Sequence, residues 1–303
     1  MVMKSTKISV IGAGAVGSAT AYALMLRDVA TEIALVDIDQ MRCEGEILDL
    51  SDALSFSRAS KIKRGTIEDA RESKIIVICA GKPQKPGQKR EELLEINKKV
   101  VTSIVNDLKP TNKDAIIIVV TNPVDIMTYY AQQTSDLPKN QIFGTGTFLD
   151  TQRIRGLVAK KLDIADQSVH AYALGEHGDT QFVAWSSATV AGKPITTFEG
   201  MGKETLDQFL EKTRTKAQEI IKCKGATFFG IAACVSAICE NIMYDRKYVL
   251  PLSTYLPAFE ICISMPVVLG KKGIEKIIDV PLSQEEHQLL KLSTNKLKNI
   301  IGN

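Results

Sequence analysis

The stretch KISVIGAGAVGSATAYALMLRDVATEIALVD, Lys7–Asp37, decides the fold. Lys7 to Ile11 reads as a short strand, GAGAVG follows it, and a helical pattern runs from Ala15 to Arg27. A second apolar run, Ile33 to Val36, ends at Asp37. In that context Gly12 permits a tight turn, Gly14 lets the backbone approach a pyrophosphate, and Gly17 allows the helix to sit close to the strand. The free amides and positive dipole end at the start of the helix complete an anion cradle. Asp37 lies 20 residues beyond Gly17, where a carboxylate accepts hydrogen bonds from the adenosine ribose hydroxyls. It would repel the extra phosphate of NADP, so the expected cofactor is NAD.

Working outward, further Ile/Val runs occur at Ile75 to Cys79, Ala115 to Val120 and Gln141 to Phe143, with a helical segment from Arg90 to Leu108 among them. Near-continuous apolar runs are expected of strands buried on both faces, and strand–helix alternation predicts an α/β, doubly wound parallel sheet of the Rossmann type. From Thr145 the pattern changes. Glu211 to Ile221 and Thr227 to Tyr244 read as helices, and Val249 to Thr254 and Cys262 to Leu269 as strands. Ser283 and Glu286 form a capping box ahead of a last helix whose apolar face is Leu289, Leu290, Leu297, Ile300 and Ile301. The expectation is an NAD-binding domain over 1–144 and a mixed α+β catalytic domain over 145–303, packed together with a cleft between them.

Composition excludes several classes of function. The 38 basic residues nearly balance 35 acidic ones, a net charge of +3 without a basic block, which argues against nucleic acid as a partner. No apolar stretch reaches membrane-spanning length, and the N-terminus runs straight into a strand, without room for a signal peptide. Cys43, Cys79, Cys223, Cys234, Cys239 and Cys262 form no CxxC pair and lack histidines at metal-binding spacing, so they read as reduced thiols. A cytoplasmic protein without a metal is expected.

Three polar segments fall where a doubly wound enzyme keeps its chemistry. GKPQKPGQKREELLEIN, from Gly81, is too rich in Gly and Pro to join a sheet and suits a lid with Arg90 near its hinge. TNPVD, Thr121 to Asp125, follows the fourth strand and offers the Asn122 amide to a substrate oxygen. LDTQRIR puts Asp150 and Arg153 on one helix face by their i, i+3 spacing, and GEHGDT carries His177, one of the chain's three histidines together with His170 and His287.

GAGAVG, LVDID, AGKPQKPGQKR, TNPVD, GTGTFLDTQRIR and GEHGDTQFVAWS resemble, in order and spacing, the L-lactate/malate dehydrogenase family, over nearly the whole chain. The resemblance implies NAD-linked interconversion of a 2-oxo acid and an L-2-hydroxy acid, pyruvate and L-lactate first. It makes His177 the proton donor and acceptor, Asp150 its carboxylate partner, and Arg90 the lid arginine that polarises the keto group. Arg153 becomes the clamp on the substrate carboxylate, and Asn122 an orienter of substrate and histidine. The implied cofactor contacts are Gly12, Gly14, Val16, Gly17, Asp37, Ala80, Gly81, Asn97 and Asn122. Gln84 occupies the lid position where the family separates pyruvate, with glutamine, from oxaloacetate, with arginine. Cys239 stands where threonine is expected among the lactate members, which opens larger 2-oxo acids such as 2-oxoisocaproate as an alternative. Malate dehydrogenase and a non-catalytic NAD-binding module are the other readings. Arg155 and His170 match positions that hold fructose bisphosphate as an activator in bacterial members. A homotetramer is also implied.

Overall fold

Strand β1 (Lys7–Ile11) is buried at every position after Lys7, as is β2 (Glu32–Val36) after Glu32, because Ile, Val, Leu and Ala fill both faces, with the one polar residue, Ser9, hydrogen-bonded to Ser73. Helix α1 (Ala15–Leu26) joins them, and α2 (Gln40–Asp52) leads to the edge strand β3 (Lys61–Arg64). Helix α3 (Ile67–Arg71), strand β4 (Ile75–Ile78), helix α4 (Arg90–Asp107), strand β5 (Ile116–Val119), helix α5 (Val124–Thr134) and strand β6 (Ile142–Gly144) continue the winding. This computed structural model describes residues 6–57, 61–82 and 90–302; Gln84 lies outside them, and so does the side chain of Arg90.

After β6 come α6 (Phe148–Leu162), the short strands β7 (Val169–His170), β8 (Ala173–Leu174), β9 (Phe182–Val183), β10 (Thr189–Val190) and β11 (Lys193–Pro194), and helices α7 (Lys203–Lys224) and α8 (Phe229–Met243). Strands β12 (Tyr248–Leu256), β13 (Ile261–Gly270) and β14 (Gly273–Ile277) precede the final helix α9 (Gln284–Ile301). The main sheet has the order β14-β13-β12-β6-β5-β4-β1-β2-β3. Its six strands from β6 to β3 are parallel. The β12–β14 meander is antiparallel and joins β6 through the pair Ser253–Gly144. So three strands of the second half extend the Rossmann sheet rather than forming a sheet of their own.

Alternation along the strands divides the core. Ile8, Val10, Ile33, Leu35, Ile75, Val77, Ile116 and Ile118 pack with residues of α1 and α8 on one face. Ile76, Ile78, Ile117 and Val119 pack with α4, α5 and α9 on the other. Strand order reverses between β1 and β4, and open α/β sheets bind ligands outside the carboxyl ends of the strands at such a point.

The glycines there are demanded by space. A Cβ on Gly17 would lie 1.7 Å from the Gly12 carbonyl oxygen, and one on Gly12, whose φ is +107°, would lie 2.6 Å from the Ala80 amide. A Cβ on Gly14 meets nothing within 4 Å. Gly17→Ala is therefore expected to cost about 1–3 kcal/mol of stability, since the backbone must part to admit the methyl group. Gly14→Ala should leave the melting temperature nearly unchanged while weakening NADH binding. Thermal melts beside NADH fluorescence titrations check both.

Candidate active site

The crevice at the β1/β4 switch gathers the fingerprint. The Asp37 carboxylate follows β2 and accepts from the Ala13 amide at 2.6 Å and from the Asp39 amide at 2.9 Å, so it is fixed at the mouth of the glycine turn. Gly14 and Val16 are partly open, whereas Gly12 and Gly17 are enclosed. Open space over Gly14, with the α1 amides behind it, fits a dinucleotide pyrophosphate, and Asp37 fits the adenosine ribose of NAD.

Across the crevice, Ala80 and Gly81 follow β4. The Thr121 hydroxyl donates to the Ala80 carbonyl at 2.6 Å, and a Cβ on Gly81 would lie 2.6 Å from Thr121 Cγ2. Asn97 of α4 is 2 % exposed. Its Oδ1 accepts from the Lys82 amide at 2.8 Å, and its Nδ2 donates to the carbonyls of Lys82 (3.3 Å) and Asn122 (2.8 Å). Asn97 is thus a strut between two turns, with its polar atoms committed to main chain, while the Asn122 residue itself is exposed.

The acid–base group is built from α6 and the β8–β9 loop. The Thr147 hydroxyl donates to the Ala173 carbonyl at 2.6 Å, and the Thr151 hydroxyl accepts from the Ala173 amide at 2.9 Å, which staples the start of α6 to β8. Asp150, in the first turn of α6, therefore faces His177 at the loop's tip. Asp150 Oδ2 lies 2.7 Å from His177 Nδ1, and Oδ1 accepts from Arg153 Nη1 at 3.1 Å. The side chains of Asp150 and Arg153 are 3 % and 11 % exposed, while the imidazole, at 32 %, keeps an open edge. Enclosure alone would lower the His177 pKa, but the Asp150 carboxylate, its hydrogen bond and the nearby Asp125 outweigh it and push the imidazole up to about 9. Burial works against ionised Asp150 too, yet His177 and Arg153 hold its pKa below the ordinary carboxylate value. This arrangement favours an imidazolium whose Nε2 has no hydrogen-bond partner among the described residues, beside a guanidinium whose remaining donors suit a carboxylate.

The family model described as lactate/malate dehydrogenase, NAD binding domain, matches residues 6–144, and the one described as lactate/malate dehydrogenase, alpha/beta C-terminal domain, matches 147–303. The chain belongs to the lactate/malate dehydrogenase family. Within that family it is 44% identical to L-lactate dehydrogenase A of Rhizopus oryzae over 300 residues, covering 99% of this chain and 93% of the relative. It is 40% identical to L-lactate dehydrogenase of Lacticaseibacillus casei, covering 97% and 93%. The crystal structure of a lactate dehydrogenase enzyme from a Medee basin deep-sea metagenome library superposes with a TM-score of 0.95 at 35% identity, covering 99% of both chains. The minor L-lactate dehydrogenase of Enterococcus mundtii does so at 0.94 and 36%, covering 98% of both.

Two further sets of residues are expected from the family motifs. Cys239 is fully enclosed in the core, near the Cys79 thiol, and burial pushes its own thiol well up. Helix α8 touches the site at its start, where Gly230 packs on Leu149 beside Asp150. Cys234, midway along α8, lies within electrostatic reach of Asp150 and Arg153, and Cys239 follows it by five residues. In this structure the Cys239 side chain has no exposed surface. Among the described residues, Arg155 and His170 share no hydrogen bond or ion pair with Asp150, Arg153 or His177. Arg155 Nε donates to the Ala171 carbonyl at 3.1 Å, and its guanidinium lies 5.2 Å from the centre of the Tyr172 ring, while His170 is exposed on β7.

Sequence reasoning missed Asp125, whose carboxylate receives the His177 amide, and the α9 contacts of the catalytic loop. Ser293 Oγ accepts from the Glu176 amide at 2.6 Å, and Lys296 pairs with Glu176 at 2.9 Å. No spacing rule links α9 to a loop more than a hundred residues earlier.

Proposed function

We propose that this chain is an NAD-dependent L-lactate dehydrogenase that interconverts pyruvate and L-lactate. The observation that carries the reading is the Asp150 carboxylate, bound at once to His177 Nδ1 and to Arg153 Nη1. With Nδ1 spent on Asp150, Nε2 is the atom that gives a proton to the keto oxygen or takes one from the hydroxyl. Arg153 binds the substrate carboxylate through its remaining donors, which sets the reacting carbon beside the imidazole. Asn122 orients the substrate oxygen, and Arg90 polarises the keto group. Gly12, Gly14, Val16, Gly17, Asp37, Ala80 and Gly81 hold the dinucleotide, with Asn97 bracing the turns. The bound nicotinamide supplies or takes the hydride.

Gln84 supports pyruvate over oxaloacetate, because a neutral amide leaves a second carboxylate unpaired at a closed site. The enclosed Cys239 thiol supports pyruvate over bulkier 2-oxo acids such as 2-oxoisocaproate, since it lends no open surface to a larger substrate. Residues 1–144 bind the cofactor in this reading, and 145–303 carry Asp150, Arg153 and His177. Arg155 and His170 flank Ala171 and Tyr172, a pair of cationic or titratable groups that supports a fructose bisphosphate site. A homotetramer and a cytoplasmic location complete the proposal. No described helix is long and apolar enough to cross a membrane, and the six cysteines are free.

Loss of NADH absorbance with pyruvate, oxaloacetate and 2-oxoisocaproate side by side tests the reading. Pyruvate should be used at least tenfold more efficiently than either alternative, since pocket contacts discriminate by about 1–3 kcal/mol. NADPH should be a poor substitute. Fructose bisphosphate in the same assay should lower the KM for pyruvate. Equal or better turnover of oxaloacetate would overturn the substrate assignment.

A further inference from the structure

We propose that Asp125 is a positioning residue for His177, tying its main chain to the Asn122 turn and adding a second carboxylate to the field around the imidazole. The inference rests on the acid–base role proposed for His177. Asp125 lies in the first turn of α5, three residues after Asn122, and is 2 % exposed. Its Oδ2 accepts from the His177 backbone amide at 2.7 Å. The hydrogen bond spans 52 residues of sequence and links the segment that presents Asn122 to the loop that presents His177.

The second oxygen of Asp125 is unusual. Among the described residues Oδ1 is enclosed and without a full hydrogen-bond partner, and beside it lies the Ser253 hydroxyl of β12, also enclosed. Burial pushes the Asp125 carboxyl up to about 6, against the pull of Ser253, the His177 amide and the His177 charge. Asp150 and Arg153 face His177 from α6, and Glu176 of the same loop opposes ionisation of Asp125. Lys296 of α9 pairs with Glu176 and lies 3.7 Å from Asp179. The Cys262 thiol of β13, raised by burial and by Asp125, is neutral. At neutral pH, Asp125 therefore contributes negative charge that favours the imidazolium.

Asp125→Asn separates this from a structural role, because an amide keeps the shape and the acceptor for the His177 amide while removing the charge. In the intact protein with labelled histidines, the His177 ring signal is assigned by its loss in His177→Asn and followed by NMR against pH. The expected result is a His177 pKa about half a unit to one unit lower in Asp125→Asn than in the wild type. The alkaline limb of pyruvate reduction should move down equally. Asp125→Ala, which also removes the acceptor, should lose a further tenfold or more in kcat, roughly the cost of a small misplacement of a reacting group. Identical titration curves for wild type and Asp125→Asn would overturn the proposal even if Asp125→Ala proved too unstable to purify. The titration needs no substrate, so a wild type unable to reduce pyruvate would overturn the proposed function alone.

Discussion

Replacing His177 with asparagine is expected to lower kcat for pyruvate reduction by about three orders of magnitude, within the range ascribed to general acid–base catalysis. NADH affinity should barely move, because the dinucleotide cradle sits at the β1/β4 switch and shares no hydrogen bond with the imidazole. Asparagine keeps a polar group near Asp150 but has no proton to give at neutral pH. Stopped-flow absorbance and an NADH fluorescence titration on the same preparation measure the two effects. In the wild type, pyruvate reduction needs the imidazolium and should fall as pH rises through about 9, whereas lactate oxidation should gain there. The same shift bears on stability. The pKa is raised on folding, so the ion pair's contribution is fully present below about 6.5 and is lost as pH rises through the folded value. Turnover that survives His177→Asn would remove the residue from the chemistry.

Arg153→Leu is expected to lower kcat/KM for pyruvate by roughly a hundredfold to a few thousandfold, corresponding to about 3–5 kcal/mol for truncating one partner of a buried charge pair. Two partners lose at once. The substrate carboxylate has no counter-charge, and Asp150, 2 % exposed, keeps only His177. Most of the loss should appear in KM, since the clamp acts on a carboxylate present in both ground and transition states. Arg153→Lys should recover only part, because an ammonium cannot serve Asp150 and a carboxylate with the same forked geometry. Steady-state kinetics on the three proteins, with thermal melts to verify folding, decide it. An unchanged KM in Arg153→Leu would mean the substrate carboxylate binds elsewhere.

Features whose cause is local could be read directly. GAGAVG between two apolar runs announces a strand, a turn and a helix, because steric need for glycine and burial on both faces act within a few residues. β1 spans the expected Lys7–Ile11, and the Ser283–Glu286 capping box forms in both directions. Reading failed where local pattern was weak. β3, KIKR, is an edge strand exposed at three of its four positions and carries no apolar run. Helix α7 extends beyond the expected Glu211–Ile221 to Lys203–Lys224, its ends marked only by Gly202 and Gly225.

The site divides along the same line. The i, i+3 pairing of Asp150 with Arg153 is a property of one helix and is visible in one dimension. Bringing His177 to Asp150, Asp125 to His177 and Ser293 to Glu176 takes the stapling of α6 to β8 and the packing of α9 on the loop, contacts between segments with no common period. The depth of Cys239, which has no exposed surface, is likewise a property of packing that its residue type does not disclose. Residue type and spacing set which groups are offered to a reaction; burial and distance, which exist only once the chain is packed, set which of them can take part.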